Sequence, residues 1–144
     1  QSLSGDMLKA LAARLEDENG SVRAAAVDIL GKQQSLSDDM LEALAARLED
    51  EDSSVRTAAV DILGKQQSLS NDVLEALAAR LEDEYESVRA AAIETLGKQR
   101  ILPRNILQAI LAPLEHKDNL LRAAAVKRLG AYLYQQTDVQ RSAA

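Results

Sequence analysis

The tripeptide Gly-Lys-Gln begins at Gly31, Gly64 and Gly97, and Leu-Gly returns at Gly130, every interval being 33 residues. Cut on that period, the chain reads as repeats 1–33, 34–66, 67–99 and 100–132, followed by a tail, 133–144, expected to cap the array and fray at its end. The first two repeats match at 28 of 33 positions, the second and third at 25, and the third and fourth at only 12. A period in the range of about 20–50 residues is the signature of a stacked array, because one short unit cannot bury its apolar face alone.

Each repeat reads as two helices. In the second, Ser37 is placed as an N-cap and Asp38 and Asp39 suit the first turn. Leu41, Leu44 and Leu48 recur at steps of three and four, giving one apolar stripe. The acidic run Glu49–Asp52 interrupts it, and Ser53 or Ser54 is expected to cap a second helix carrying Val55, Ala59 and Ile62, with Leu63 beside them. Gly64 fits a C′ position, where positive φ favours glycine. Ala runs such as Ala24–Ala26 and Ala90–Ala92 let the second helices pack on two sides. The expected fold is all-α: a right-handed α-solenoid of four stacked two-helix repeats, about eight helices.

Repeat 4 departs from the pattern. Pro103 replaces the capping Ser, and Pro113 stands late in the first helix, where it should end or kink it. Tyr132 and Tyr134 are expected to cover the end of the core. Gln1 shares the phase of Gln34 and Gln67 and is not an initiator Met, so the expected reading is a fragment of a longer array.

The pattern Leu-x-Asp-x-x-x-x-Val-Arg (Leu48, Asp50, Val55, Arg56), then an Ala-rich helix and Leu-Gly, resembles a HEAT or HEAT-like repeat, fully in repeats 1 to 3 and partly in repeat 4. That resemblance implies a polar ladder between neighbouring repeats, carried by Asp17, Asp50 and Asp83 with Arg23, Arg56, Arg89 and Arg122. His116 stands where repeat 4 should have its aspartate, so the ladder is expected to change or end there. The phrases Leu-Glu-Asp-Glu and Leu-Gly-Lys-Gln also resemble the repeat tails of fungal nucleotide-binding, NLR-like receptors. That implies a cytoplasmic sensing module whose nucleotide chemistry lies elsewhere, since no phosphate-binding Gly-x-x-x-x-Gly-Lys-Ser/Thr occurs here.

Composition narrows the chemistry. With no Cys and one His, the chain lacks thiolate sites, a cysteine nucleophile and a His-rich metal centre, so no catalytic residue, cofactor or metal is expected. Residues 1–99 hold ten Lys/Arg and twenty Asp/Glu, net −10; residues 100–144 hold seven and three, net +4, which together give −6. An acidic array without Trp or Phe does not suit nucleic acid, and no apolar run suits a membrane span. The basic end, including Arg100, Arg104, Lys117, Arg122, Lys127, Arg128 and Arg141, could meet an acidic partner or the acidic face of another copy, although self-association is not required.

What remains is a protein partner. Repeat positions 24 and 28 share a helix face, reading Ala24, Thr57, Ala90 and Ala123, then Asp28, Asp61, Glu94 and Lys127. With Tyr85, where an otherwise near-constant turn varies, they form the candidate binding face. The expected function is therefore a non-catalytic protein–protein interaction module within a larger receptor-like or scaffold protein. Two alternatives stand beside it: a consensus array without a native ligand, and an enzyme on a HEAT-like array.

Overall fold

The computed structural model describes residues 4–33, 35–66, 68–99 and 101–143, with side chains as far as residue 136. Arg100 and the Arg141 side chain, both named for the basic end, lie outside the described residues. Among the described residues there are eight α-helices and no strand: α1 Gly5–Ala13, α2 Gly20–Gly31, α3 Asp38–Ala46, α4 Ser53–Leu63, α5 Asn71–Ala79, α6 Glu86–Gly97, α7 Arg104–Leu111 and α8 Asn119–Ala143. The all-α, two-helix repeat is thus what the chain forms. It divides into two compact bodies, Gln1–Ala76 and Leu77–Ala144, the division falling within α5.

In repeats 1 to 3 the first helix begins where a serine hydroxyl accepts a backbone N–H that the helix leaves unpaired. Ser4 accepts from Met7 N at 3.3 Å, Ser37 from Met40 N at 3.1 Å and Ser70 from Val73 N at 3.2 Å. Pro103 offers no such group, and α7 starts without a side-chain cap. The first helices then tighten into 3-10 turns, Arg14–Glu16, Arg47–Glu49, Arg80–Glu82 and Ala112–Glu115. Pro113 therefore does not introduce a special break. It is buried in a 3-10 turn that the other repeats form without proline.

The second helices are capped one residue earlier than expected. Asp52, not Ser53 or Ser54, caps α4, accepting from Ser54 N at 2.9 Å. Asn19 accepts from Ser21 N and Val22 N, and Asp118 from Leu120 N and Leu121 N. The varying turn position is thus the cap itself, and Tyr85 holds it in repeat 3 with no side-chain cap bond. Replacing Tyr85→Asn should restore that acceptor and stabilise the chain by about 1 kcal/mol. An unchanged melting temperature would show that the cap contributes nothing at this turn.

Gly64 also departs from expectation: it has φ −64° and ψ −18°, and no described glycine has positive φ. Close packing explains the conserved phase of the glycines instead. In the first body α2 packs on α4, and a Cβ at Gly31 would overlap Cγ2 and Cδ1 of Ile62. In the second body α6 packs on α8, and a Cβ at Gly97 would overlap Cδ of Arg128. Glycine is the residue that lets these helices approach.

Leu30, Leu44, Leu48, Val55, Ala59, Val60, Ile62 and Leu63 form the core of the first body, and Leu77, Leu81, Val88, Ile93, Leu96, Ile106 and Ile110 that of the second. The second helix of repeat 4 does not stop at Gly130 but continues to Ala143. Tyr132 accepts the Leu102 N–H at 3.3 Å and so ties this extension to the start of repeat 4. Tyr134 is exposed and covers no core, contrary to expectation, because the helix carries it past the packed layer.

Candidate functional site

The turns joining the two helices of each repeat carry buried charge. Asp50 Oδ2 accepts from Arg23 Nε at 2.8 Å and its Oδ1 from Arg23 Nη2 at 2.9 Å, while Arg23 Nη1 donates to the Asp17 carbonyl at 2.7 Å. The arginine thus closes its own turn and grips the next repeat with the same planar fork. Asp50 Oδ1 also accepts the N–H of Asp52, as Asp17 Oδ1 does for Asn19 and Asp83 Oδ1 for Tyr85. Arg56 Nη1 and Arg89 Nη1 close their own turns on the carbonyls of Asp50 and Asp83.

Repeat 4 keeps the joint by moving the carboxylate. His116 Nδ1 accepts the Asp118 N–H at 3.0 Å and so does the turn-closing work of the missing aspartate. Asp118, two residues on, then takes Arg89 Nη2 at 2.9 Å. The ladder therefore changes partner at His116 but does not end there. The displaced acceptor reaches one edge of the fork only, and Arg89 Nε is left buried without a bond. Arg89, then the N–H groups of Leu121 and Leu120, hold the Asp118 carboxyl below the ordinary aspartate range against its burial.

The candidate binding face lies largely in the open. Asp28, Asp61, Ala90, Glu94 and Lys127 are exposed, and Ala24 and Thr57 half-buried, with the Thr57 hydroxyl donating to the Ser53 carbonyl at 3.0 Å. In the second body this face folds inward between α6 and α8. Ala90, Ile93, Leu121 and Ala124 floor a groove of about 210 Å³, rimmed by Glu86, Glu94, Asp118, Leu120 and Arg128. Leu120 is 64% exposed at its edge.

Of the expected residues, Ala90 and Glu94 line the groove. Lys127 does not, its neighbour Arg128 taking that place, and Tyr85 sits outside it at the cap of α6. Asp28, Thr57 and Asp61 occupy the equivalent face in the other body. The unforeseen members are Ile93, Leu120, Leu121, Ala124 and Arg128. One signal was readable: position 21 runs Ser21, Ser54, Ser87, then Leu120, a solvent-facing position turned apolar once.

The acidic turns form no comparable site. Glu16, Asp17, Glu49, Asp50 and Glu51 border a shallow depression in the first body, but Arg23 and Arg47 line it with them and neutralise Asp50. Among the described residues no group of three or more His, Cys, Asp or Glu is placed to hold a metal ion. No described helix is long and apolar enough to cross a membrane.

The family model for HEAT repeats matches residues 8–97 and again 74–142, which together take in nearly the whole chain. The chain belongs to the HEAT-repeat family. Comparison with curated proteins gives no significant match. HEAT repeats generally mediate protein–protein interaction, and their helical arrays are typically non-enzymatic.

Proposed function

We propose that this HEAT-repeat chain is a non-catalytic protein-binding module and that the α6–α8 groove is where its partner inserts an apolar side chain. The apolar floor beneath an exposed Leu120 carries the reading. A large apolar residue beside a concave apolar floor with a charged rim is the arrangement by which interfaces seat an anchor. Arg128 on one side and Glu86 and Glu94 on the other would orient the partner's flanking charges. On the first body, Asp28 and Asp61 give α2 and α4 an acidic row of their own, suited to a basic partner.

The wider setting forms part of the same proposal. A cytoplasmic chain serving a larger receptor-like or scaffold protein rests on the resemblance of its Leu-Glu-Asp-Glu and Leu-Gly-Lys-Gln phrases to NLR-like repeat tails.

Selection of peptides from a displayed library against the chain tests the groove. Peptides recovered should carry a large apolar residue, and Ala90→Arg, which places a guanidinium over the floor, should weaken them at least tenfold, about 1.4 kcal/mol. Ala90 is exposed on α6, so the substitution leaves the core intact. Binding unchanged by Ala90→Arg would place the interaction elsewhere.

A further inference from the structure

The α6–α8 groove has two unlike ends. Arg89 meets Asp118 where the two helices begin, and Gly97 meets Arg128 at the far end of α6, so the helices run parallel. Glu86, Ala90 and Glu94 follow one another at four-residue steps along one wall, and Leu120, Ala124 and Arg128 do the same along the other. At about 1.5 Å per residue each wall is about 12 Å long.

Among the described residues four charged side chains line the groove, and two of them are already answered. Asp118 holds Arg89 at 2.9 Å at the starting end, and Glu94 meets Lys98 at 3.4 Å along its own helix at the other. Glu86 and Arg128 have no ion-pair partner among the described residues. What remains is an unanswered carboxylate where α6 and α8 begin and an unanswered guanidinium at the opposite end. Midway between them, Ala90 and Ala124 are too short to fill the channel.

A channel between parallel helices, with short side chains midway and features recurring every four residues, fits the surface of a third helix. Such a helix has a charge order of its own, because acidic residues are favoured in its first turn and basic ones in its last. One direction sets that order against the groove. Running antiparallel to α6 and α8, the occupant brings its early acidic residue to Arg128 and its late basic residue to Glu86. The backbone dipoles agree, since the negative end of the occupant then lies beside the positive ends of α6 and α8.

We propose that the occupant of the α6–α8 groove is an amphipathic helix of a partner protein, docked antiparallel to α6 and α8. It carries Asp or Glu, then a large apolar residue, then Lys or Arg, at successive four-residue steps. The apolar residue fills the space over Ala90 and Ala124, the acid pairs with Arg128 and the base with Glu86. This rests on the groove being the binding site and adds the chemistry and direction of what binds there.

A displayed library of alanine- and glutamine-rich helical peptides provides the test, with Leu fixed at one position and the residues four before and four after it randomised. Selection on the 144-residue chain should return Asp or Glu before the leucine and Lys or Arg after it. Glu86→Lys should weaken a selected peptide by about threefold to tenfold, and reversing the peptide's basic residue to Glu should recover the loss. Glu86 is exposed at the first residue of α6, so the substitution spares the core. Arg128→Met keeps a stem over Gly97 without the charge, and should erase the preference for an acid while leaving the preference for a base. Peptides that Ala90→Arg weakens but that show no charge preference, or the opposite order, would overturn this proposal and leave the groove reading standing. Peptides indifferent to Ala90→Arg, or none recovered, would overturn both.

Discussion

Asp50→Ala should cost about 3–5 kcal/mol of folding stability, the largest loss expected from any single polar change in the first body. The Asp50 side chain is 3% exposed and its partner Arg23 8%, so water cannot replace what is removed. The substitution leaves Arg23 Nε and Nη2 buried without acceptors, the Asp52 N–H unpaired, and Arg47 short of a bond. An uncompensated buried charge is far more costly than the net worth of the pair. Asp17→Ala is the control: its ion pair with the exposed Arg14 should be worth no more than about 1 kcal/mol. Equal losses in denaturant titrations of the two variants would mean that the joint between repeats does not carry this energy.

The same carboxylate dictates a pH dependence. Burial alone would raise the Asp50 carboxyl. The Arg23 hydrogen bond, the Asp52 N–H and the charges of Arg23 and Arg47 outweigh burial and hold it below the ordinary aspartate range. The folded chain therefore binds the proton less readily than the unfolded one, whose aspartates titrate near about 3.9. The stability from Asp50 is complete above that value and is lost as pH falls through the lower folded one. Wild-type stability should drop steeply below about pH 4, and Asp50→Asn, which cannot titrate, should flatten that drop.

Gly31→Ala should destabilise the chain by about 1–3 kcal/mol although alanine is the better helix former. At a solvated helix position the change would gain about 1 kcal/mol. Here the added Cβ would overlap Ile62, which is buried and β-branched, so its χ1 has little freedom to yield. Gly97→Ala should cost less, because the overlapped group is the flexible stem of Arg128. A double-mutant cycle separates packing from backbone effects. Gly31→Ala made in an Ile62→Ala background should lose most of its penalty, a coupling of about 1 kcal/mol or more. If the penalty survives there, the glycine serves its own backbone and not its neighbour.

The architecture was legible because it depends on features that act locally and recur. Leu41, Leu44 and Leu48 at helical spacing and Ser37 before them set each first helix, and the same signals return every 33 residues. Errors arose where several residues could serve one local role. Asp52, Ser53 and Ser54 are all good caps, and spacing alone does not choose among them. Gly64 looked like a conformational glycine because that is the commonest local reason for one after a helix. Gly31 and Gly97, at the same repeat position, show a tertiary reason: a side chain from the next repeat occupies the space. Histidine is not a carboxylate, so the ladder is expected to change or end at His116; it changes, because Nδ1 is an acceptor and Asp118 lies two residues away. The groove was half legible. Ala90 and Glu94 follow from the surface row, whereas Ile93 and Leu121 join it only when two helices meet.

The arginine fork that closes one turn while holding the next repeat has a consequence for how the chain reaches this structure. Within each body, side-chain bonds between repeats link residues 27 to 32 apart, about one repeat length. Loop closure over so short a span is entropically mild, and such low contact order belongs to fast-folding helical proteins. On a ribosome the two sides of each joint emerge about one repeat apart, so Arg23 can close on Asp17 and Asp50 as soon as the second repeat follows the first. Each repeat then becomes the template on which the next condenses, in the order of synthesis.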